Sequence, residues 1–128
     1  MATPTSRVGK VCYLEIPAFD VEQSADFYHR VFGWPLRRHE DGALAFDDTI
    51  GGVSGMWVTD RKPATEPGIV VSIMVANAAA ACEEIVAAGG EIVEPVDPHT
   101  GEPMALFRDP AGNVLRVYQD EALAAAEG

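Results

Sequence analysis

Tyr13 and Glu15 stand two residues apart in VCYLEI (11–16), and Arg116 stands in NVLRVYQ (113–119). A carboxylate beside a phenol can move a proton, with Glu15 as general base and Tyr13 as acid or oxyanion donor. A guanidinium can grip a carboxylate or phosphate through two parallel hydrogen bonds. Trp57, Ser72, Met74 and Tyr118 lie in other apolar, strand-like segments. Apolar walls with a few polar anchors suit a small organic ligand. These residues can act together only if the chain brings them onto one surface.

The elements that would do so are well punctuated. Asp20 and Gln23 form a capping-box pattern at the start of a helix. Val21, Ala25, Tyr28 and Phe32 follow at helical spacing, and Gly33 supplies the stop. Upstream, Cys12, Leu14 and Ile16 point one way, while Val11, Tyr13 and Glu15 point the other. The pattern then recurs. IVVSIMV (69–75) is a second strand, Asn77 a second cap, 78–88 a second helix, and Gly89-Gly90 its stop. Asn77 lies 57 positions after Asp20, as Gly90 does after Gly33. FDDTIGGV (46–53) and FRDPAGNV (107–114) also match, at a spacing of 61, which puts about four extra residues in the loop 94–103. The polar, Pro-containing stretch 59–68 reads as a linker.

Further strands are expected at about 36–40, 43–47 and 53–58, and at 91–94, 104–108 and 114–119. The fold class is therefore α+β, with two tandem βαβββ modules (about 8–58 and 69–119) in a single domain spanning 1–128. Each module is too small to bury a two-sided core alone. Together they should form a curled mixed-sheet cleft with the helices outside. The tail DEALAAAEG is expected to be a short helical turn. Alternation assigns Tyr13, Glu15, Gly55, Trp57, Ser72, Met74, Arg116 and Tyr118 to the cleft, with the complementary positions against the helices. Two uses of this lining stay open. Glu15 and Arg116 can pair with each other and stiffen the groove, or meet a ligand; Tyr13 and Trp57 can be inner packing. Asp109 should bond turn backbone.

Composition narrows the partners. Nine Lys and Arg against 20 Asp and Glu leave a formal charge of −11. Such a surface repels nucleic-acid phosphates and anionic lipids. No apolar run approaches the ~20 residues of a membrane span. The start MATPTSR lacks a secretory pattern, so a cytoplasmic protein is expected. Cys12 and Cys82 fit neither a disulfide scaffold nor a zinc knuckle and are expected to be buried free thiols.

Three stretches, EIPAFDVEQSADFYHRVFGW, ANAAAACEEIVAAGGEIVEP and FRDPAGNVLRVYQ, resemble the vicinal oxygen chelate superfamily, which includes glyoxalase I, bleomycin-resistance proteins and extradiol dioxygenases. The resemblance covers about residues 8 to 119 and lies nearest the glyoxalase-related small bacterial group. It implies paired βαβββ modules, a homodimer, and a divalent metal held by one side chain from the first and last strand of each module. Carried onto this chain, those four positions are Tyr13, Gly55, Val70 and Arg116. Glycine and valine offer no ligand, and arginine repels a cation. No metal and no cofactor are therefore expected. The leading expectation is a metal-independent protein binding an anionic or amphipathic small molecule through Arg116, Trp57, Ser72, Met74 and Tyr118. The alternative is a cofactor-free lyase or isomerase, related to lactoylglutathione lyase, using Glu15 and Tyr13.

Overall fold

The computed structural model describes residues 7–99, 101, 103–120 and 123. Most of the tail expected to form a helical turn lies outside them. The first half of the chain forms β1 (Tyr13–Pro17), α1 (Val21–Phe32), β2 (Leu36–Arg38), β3 (Leu44–Asp47) and β4 (Ser54–Val58). The second half forms β5 (Ser72–Val75), α2 (Ala78–Ala87), β6 (Glu91–Glu94), β7 (Met104–Arg108) and β8 (Val114–Gln119). The expected tandem βαβββ order is present. One sheet runs β1-β4-β3-β2 and the other β5-β8-β7-β6, with β1 and β5 at open edges. β1 and β5 run parallel to β4 and β8, and the remaining pairs are antiparallel.

The helix signals act as their chemistry requires. Asp20 Oδ1 accepts from the Gln23 backbone N–H at 3.1 Å, and Asn77 Oδ1 from Ala80 at 3.0 Å. Gly33 ends α1 at φ 73°, where a side chain would be strained.

Helix α1 carries the core. Its Tyr28 ring stacks on Trp34 at 4.8 Å, and Trp34 stacks on Phe46 at 4.5 Å. Phe27 and Phe32 reach the other module, with ring centroids 6.1 and 5.8 Å from Phe107. Burying each such ring contributes about 1.5–3 kcal/mol, so one apolar core joins both modules.

A buried polar cluster locks the same seam. Tyr28 donates its phenol to Asp109 Oδ2 at 2.8 Å. Asp109 Oδ1 accepts from the backbone of Ala111, Gly112 and Asn113, each at 3.0 Å. The Asn113 amide donates to Asp109 Oδ2 and to the Pro17 carbonyl, and its oxygen accepts from Ala64 in the linker. The turn-bonding role expected of Asp109 is thus present, and a contact to α1 is added. Burial pushes the Asp109 carboxyl above its ordinary range, while the bonds from Asn113 and Tyr28 pull it back.

Strand β4 differs from the alternation read in the sequence. β1 pairs with β4 as Tyr13 with Ser54, Leu14 with Gly55, Glu15 with Met56 and Ile16 with Trp57. Gly55 and Trp57 therefore share the helix face with Leu14 and Ile16, and Ser54 and Met56 take the open face. Trp57 is 3% exposed and packs 5.0 Å from Phe46. A side chain at Gly55 would collide with Phe46 and the Leu14 carbonyl. The cause is turn length. The first hairpin closes from Asp48 to Val53, the second from Asp109 to Asn113, one residue shorter. Aligning Val53 with Val114 by sequence slips the strand by one, and one residue reverses every side chain. The thiols also depart from expectation: Cys12 is exposed and Cys82 half-buried, both free.

Burial, reinforced by the Asp109 charge, holds the Tyr28 phenol well above its ordinary value of 10.0. An unfolded chain releases that proton near pH 10 while the folded one keeps it, so stability present below pH 10 is lost as pH rises further. Tyr28→Phe should lower stability at neutral pH by about 1–2 kcal/mol and flatten the alkaline loss. Urea midpoints from pH 7 to 11 test this; parallel curves for the two proteins would refute it.

Candidate functional site

Each sheet keeps one face clear of helices. On the first, the ladders set Tyr13 and Glu15 of β1 beside Ser54 and Met56 of β4, followed by Ala45 and Asp47 of β3. Ser54 donates its hydroxyl to Asp47 Oδ1 at 2.6 Å. Arg37 in β2 donates to both Asp47 oxygens at 2.9 and 3.1 Å. The Ser54 hydroxyl, aided by Arg37 and opposed by slight burial, holds the Asp47 carboxyl below its ordinary range. Such a carboxylate is a poor base but a firm anchor, and it leaves the Ser54 oxygen lone pairs directed to other donors.

Glu15 meets a partner that sequence reading missed. Arg61, in the linker, reaches Glu15 Oε1 with Nη2 at 2.7 Å. The Glu15–Arg116 pairing considered from the sequence does not form: Glu15, on the first sheet, is held by Arg61, and Arg116 lies on the second. Tyr13 is 48% exposed, so the inner-packing reading fails for it.

On the second sheet, Ser72 pairs with Arg116 and Met74 with Tyr118, and β7 continues the rows with Leu106 and Met104. Alternation therefore placed these four site residues on one face as expected. Arg116 lines a recess of about 420 Å³ with Glu94, Asp97, Met104 and Leu106. Arg116 is half-buried, and its guanidinium makes no ion pair or hydrogen bond among the described residues. Ser72 and Met74 also border a second cavity, of about 340 Å³, at the seam between the modules. The structure thus gathers Arg116, Ser72, Met74 and Tyr118, sets Tyr13 and Glu15 on another surface, and buries Trp57. Arg37, Asp47, Ser54 and Arg61 escaped sequence reading. Strand alternation could have flagged Asp47 and Ser54, but only with the longer turn known.

The donor chemistry of the faces can be tested against a divalent metal. With the β4 slip corrected, the four positions become Tyr13, Met56, Val70 and Arg116, and the ladders set Glu15 beside Met56 and Ser72 beside Arg116. Together these residues hold one carboxylate, already paired to Arg61, and one guanidinium that repels cations. Among the described residues, no group of three or more His, Cys, Asp or Glu is arranged to hold a metal ion. These residues do not fit the ion.

Tandem βαβββ modules with open-faced mixed sheets define the class of fold. Residues 10–117 match the Glyoxalase/Bleomycin resistance protein/Dioxygenase superfamily, and the chain belongs to it. A lactoylglutathione lyase of Neisseria meningitidis is 28% identical over 117 residues, covering 80% of this chain and 85% of that enzyme. TnmS3, an antibiotic binding protein from Streptomyces sp. CB03234, superposes with a TM-score of 0.66 at 22% identity, over 91% of this chain and 99% of its own. A glyoxalase-related enzyme from Fulvimarina pelagi does so with a TM-score of 0.68 at 22% identity, over 88% and 89%. No described helix is long and apolar enough to cross a membrane.

With its folded value lowered, Asp47 contributes stability that is present above its ordinary value of 3.8 and lost as pH falls through the lowered one. Ser54→Ala should raise the Asp47 midpoint toward 3.8 and shrink that acid loss. Carboxyl-carbon NMR titration reads it directly; an unmoved midpoint would mean the Ser54 bond does not act on the charge.

Proposed function

We propose that this protein binds a small anionic or amphipathic molecule on the open face of its second sheet, without a metal or other cofactor. One observation carries the reading: the Arg116 guanidinium lines a 420 Å³ recess without any described protein acceptor. A half-buried guanidinium without an acceptor gains most from a carboxylate or phosphate that reaches it. Met104 and Leu106 line the same recess and suit an apolar body. Tyr118, Ser72 and Met74 extend the surface. The antibiotic-binding role of TnmS3 lends the reading support from a shared fold, though a fold does not fix a ligand.

Glu15 is engaged by Arg61 and lies on the other sheet, so the lyase or isomerase reading with Glu15 and Tyr13 stands behind the binder. The negative surface disfavours nucleic acid, and two free cysteines suit a reducing, cytoplasmic setting. Open edges β1 and β5, with Tyr13 and Met74 exposed beside them, suit a homodimer.

The probe is 8-anilinonaphthalene-1-sulfonate, an anionic amphipathic fluorophore, applied to metal-analysed protein. Saturable binding that weakens about tenfold in Arg116→Ala, and not in Arg61→Ala, is expected. Equal binding by Arg116→Ala, or a stoichiometric bound transition metal, would overturn the proposal.

A further inference from the structure

The two hairpin turns of the duplicated modules hold equivalent carboxylates, and these meet different surroundings. Asp109 Oδ1 serves the backbone of its turn, while Oδ2 receives the buried phenol of Tyr28 at 2.8 Å. Asp48 holds the same place in the first module. Its Oδ1 likewise accepts from turn backbone, Ile50 at 3.3 Å and Gly52 at 2.8 Å. Its Oδ2 receives no donor from any described residue. The residue of α2 that corresponds to Tyr28, 57 positions on, is Ile85, which has no hydroxyl to give.

Asp48 instead borders the seam cavity of about 340 Å³, which penetrates between the modules rather than lying only on an open sheet face. Phe32, Trp34 and Phe46 wall it from the first module, and Val71 and Ile73 from the second. Trp34 and Phe46 are held flat against each other at an interplanar angle of 17°. A dry apolar cavity of ~150 Å³ suffices for benzene, so this one takes a single substituted ring. A carboxylate oxygen at the border of an apolar cavity gains a charge-assisted bond from any donor that arrives with the ring.

We propose that the seam cavity is a second binding site, separate from the Arg116 recess, for a small monocyclic phenol. The ring lies against Leu14, Phe32, Val71 and Ile73, half-buried apolar residues of the lining, and the hydroxyl donates to Asp48 Oδ2. The ligand supplies to the first turn the phenol that Tyr28 supplies to the second. The cavity has Ser72 and Met74 in common with the surface that extends the Arg116 recess but none of the recess's own lining, and the proposal stands whether or not that recess binds anions.

The test is an ¹⁵N NMR titration of the full chain with p-cresol. Saturable shifts confined to residues 48–53 and 71–74 are expected. 4-Methylanisole, the same ring without the donor, should bind about tenfold more weakly. Asp48→Asn should weaken p-cresol by a similar factor and leave 4-methylanisole unchanged. Val71→Phe fills the cavity and should abolish both, with the unperturbed spectrum of the variant showing that it folds. Equal affinity for the two compounds, shifts centred on Arg116 and Met104, or no saturation at the solubility limit would each overturn the proposal.

Discussion

The hydrogen bond from Tyr28 to Asp109 is the constraint on which the molecule depends. Its donor comes from the helix of one module and its acceptor from the last hairpin of the other. Neither module encloses a core of its own, so their relative placement is a folding problem as much as a functional one. The phenol is fully buried between Trp34 and Trp57, and its oxygen has Asp109 to satisfy it. An unsatisfied hydroxyl there would cost about 1–3 kcal/mol, which selects one docking of the modules over near alternatives. Asn113 extends the lock to Pro17 and the linker, so strand, helix, linker and turn share one polar cluster.

Duplication followed by divergence explains the site. The modules keep the same order of elements, the same cap chemistry and the same aspartate at the hairpin turn. They differ where function can reside. One hairpin turn is longer by a residue, which sets Ser54 and Met56, rather than Gly55 and Trp57, on the open face. One aspartate is sealed by a phenol and the other borders a cavity. The two open faces consequently carry different chemistry: a Ser54–Asp47–Arg37 cluster with the Glu15–Arg61 pair on the first, and a guanidinium beside Met104 and Leu106, in a recess that Glu94 and Asp97 also line, on the second. An overall negative charge does not forbid an anionic ligand at Arg116, since distant surface charges are screened within about 10 Å at ordinary salt.

Among the described residues, the packed core leaves one buried side-chain polar atom unanswered. The indole N–H of Trp57 is buried without a hydrogen-bond partner among the described residues. The ring sits between Tyr28 and Phe46, where the packing of its large apolar surface offsets the lost bond.

The sequence by itself determined the elements and their duplication. Caps at Asp20 and Asn77, the glycine stop after α1 and strand alternation are local rules, and each operates within a few residues. Residue type alone also showed that Val70 and Arg116, two of the four positions to which the resemblance carries a metal ligand, offer a cation nothing, whereas a third moved from Gly55 to Met56 with the turn. The open-face residues of β5 and β8 were legible from strand alternation. Only the tertiary structure decided the rest. The face of Trp57 turned on a single extra residue in a turn, which no periodicity within β4 reveals. The partner of Glu15 came from a linker 46 positions away, and that of Asp109 from a helix 81 positions away. Such contacts depend on how two sheets are placed in space, and residue spacing carries no record of that.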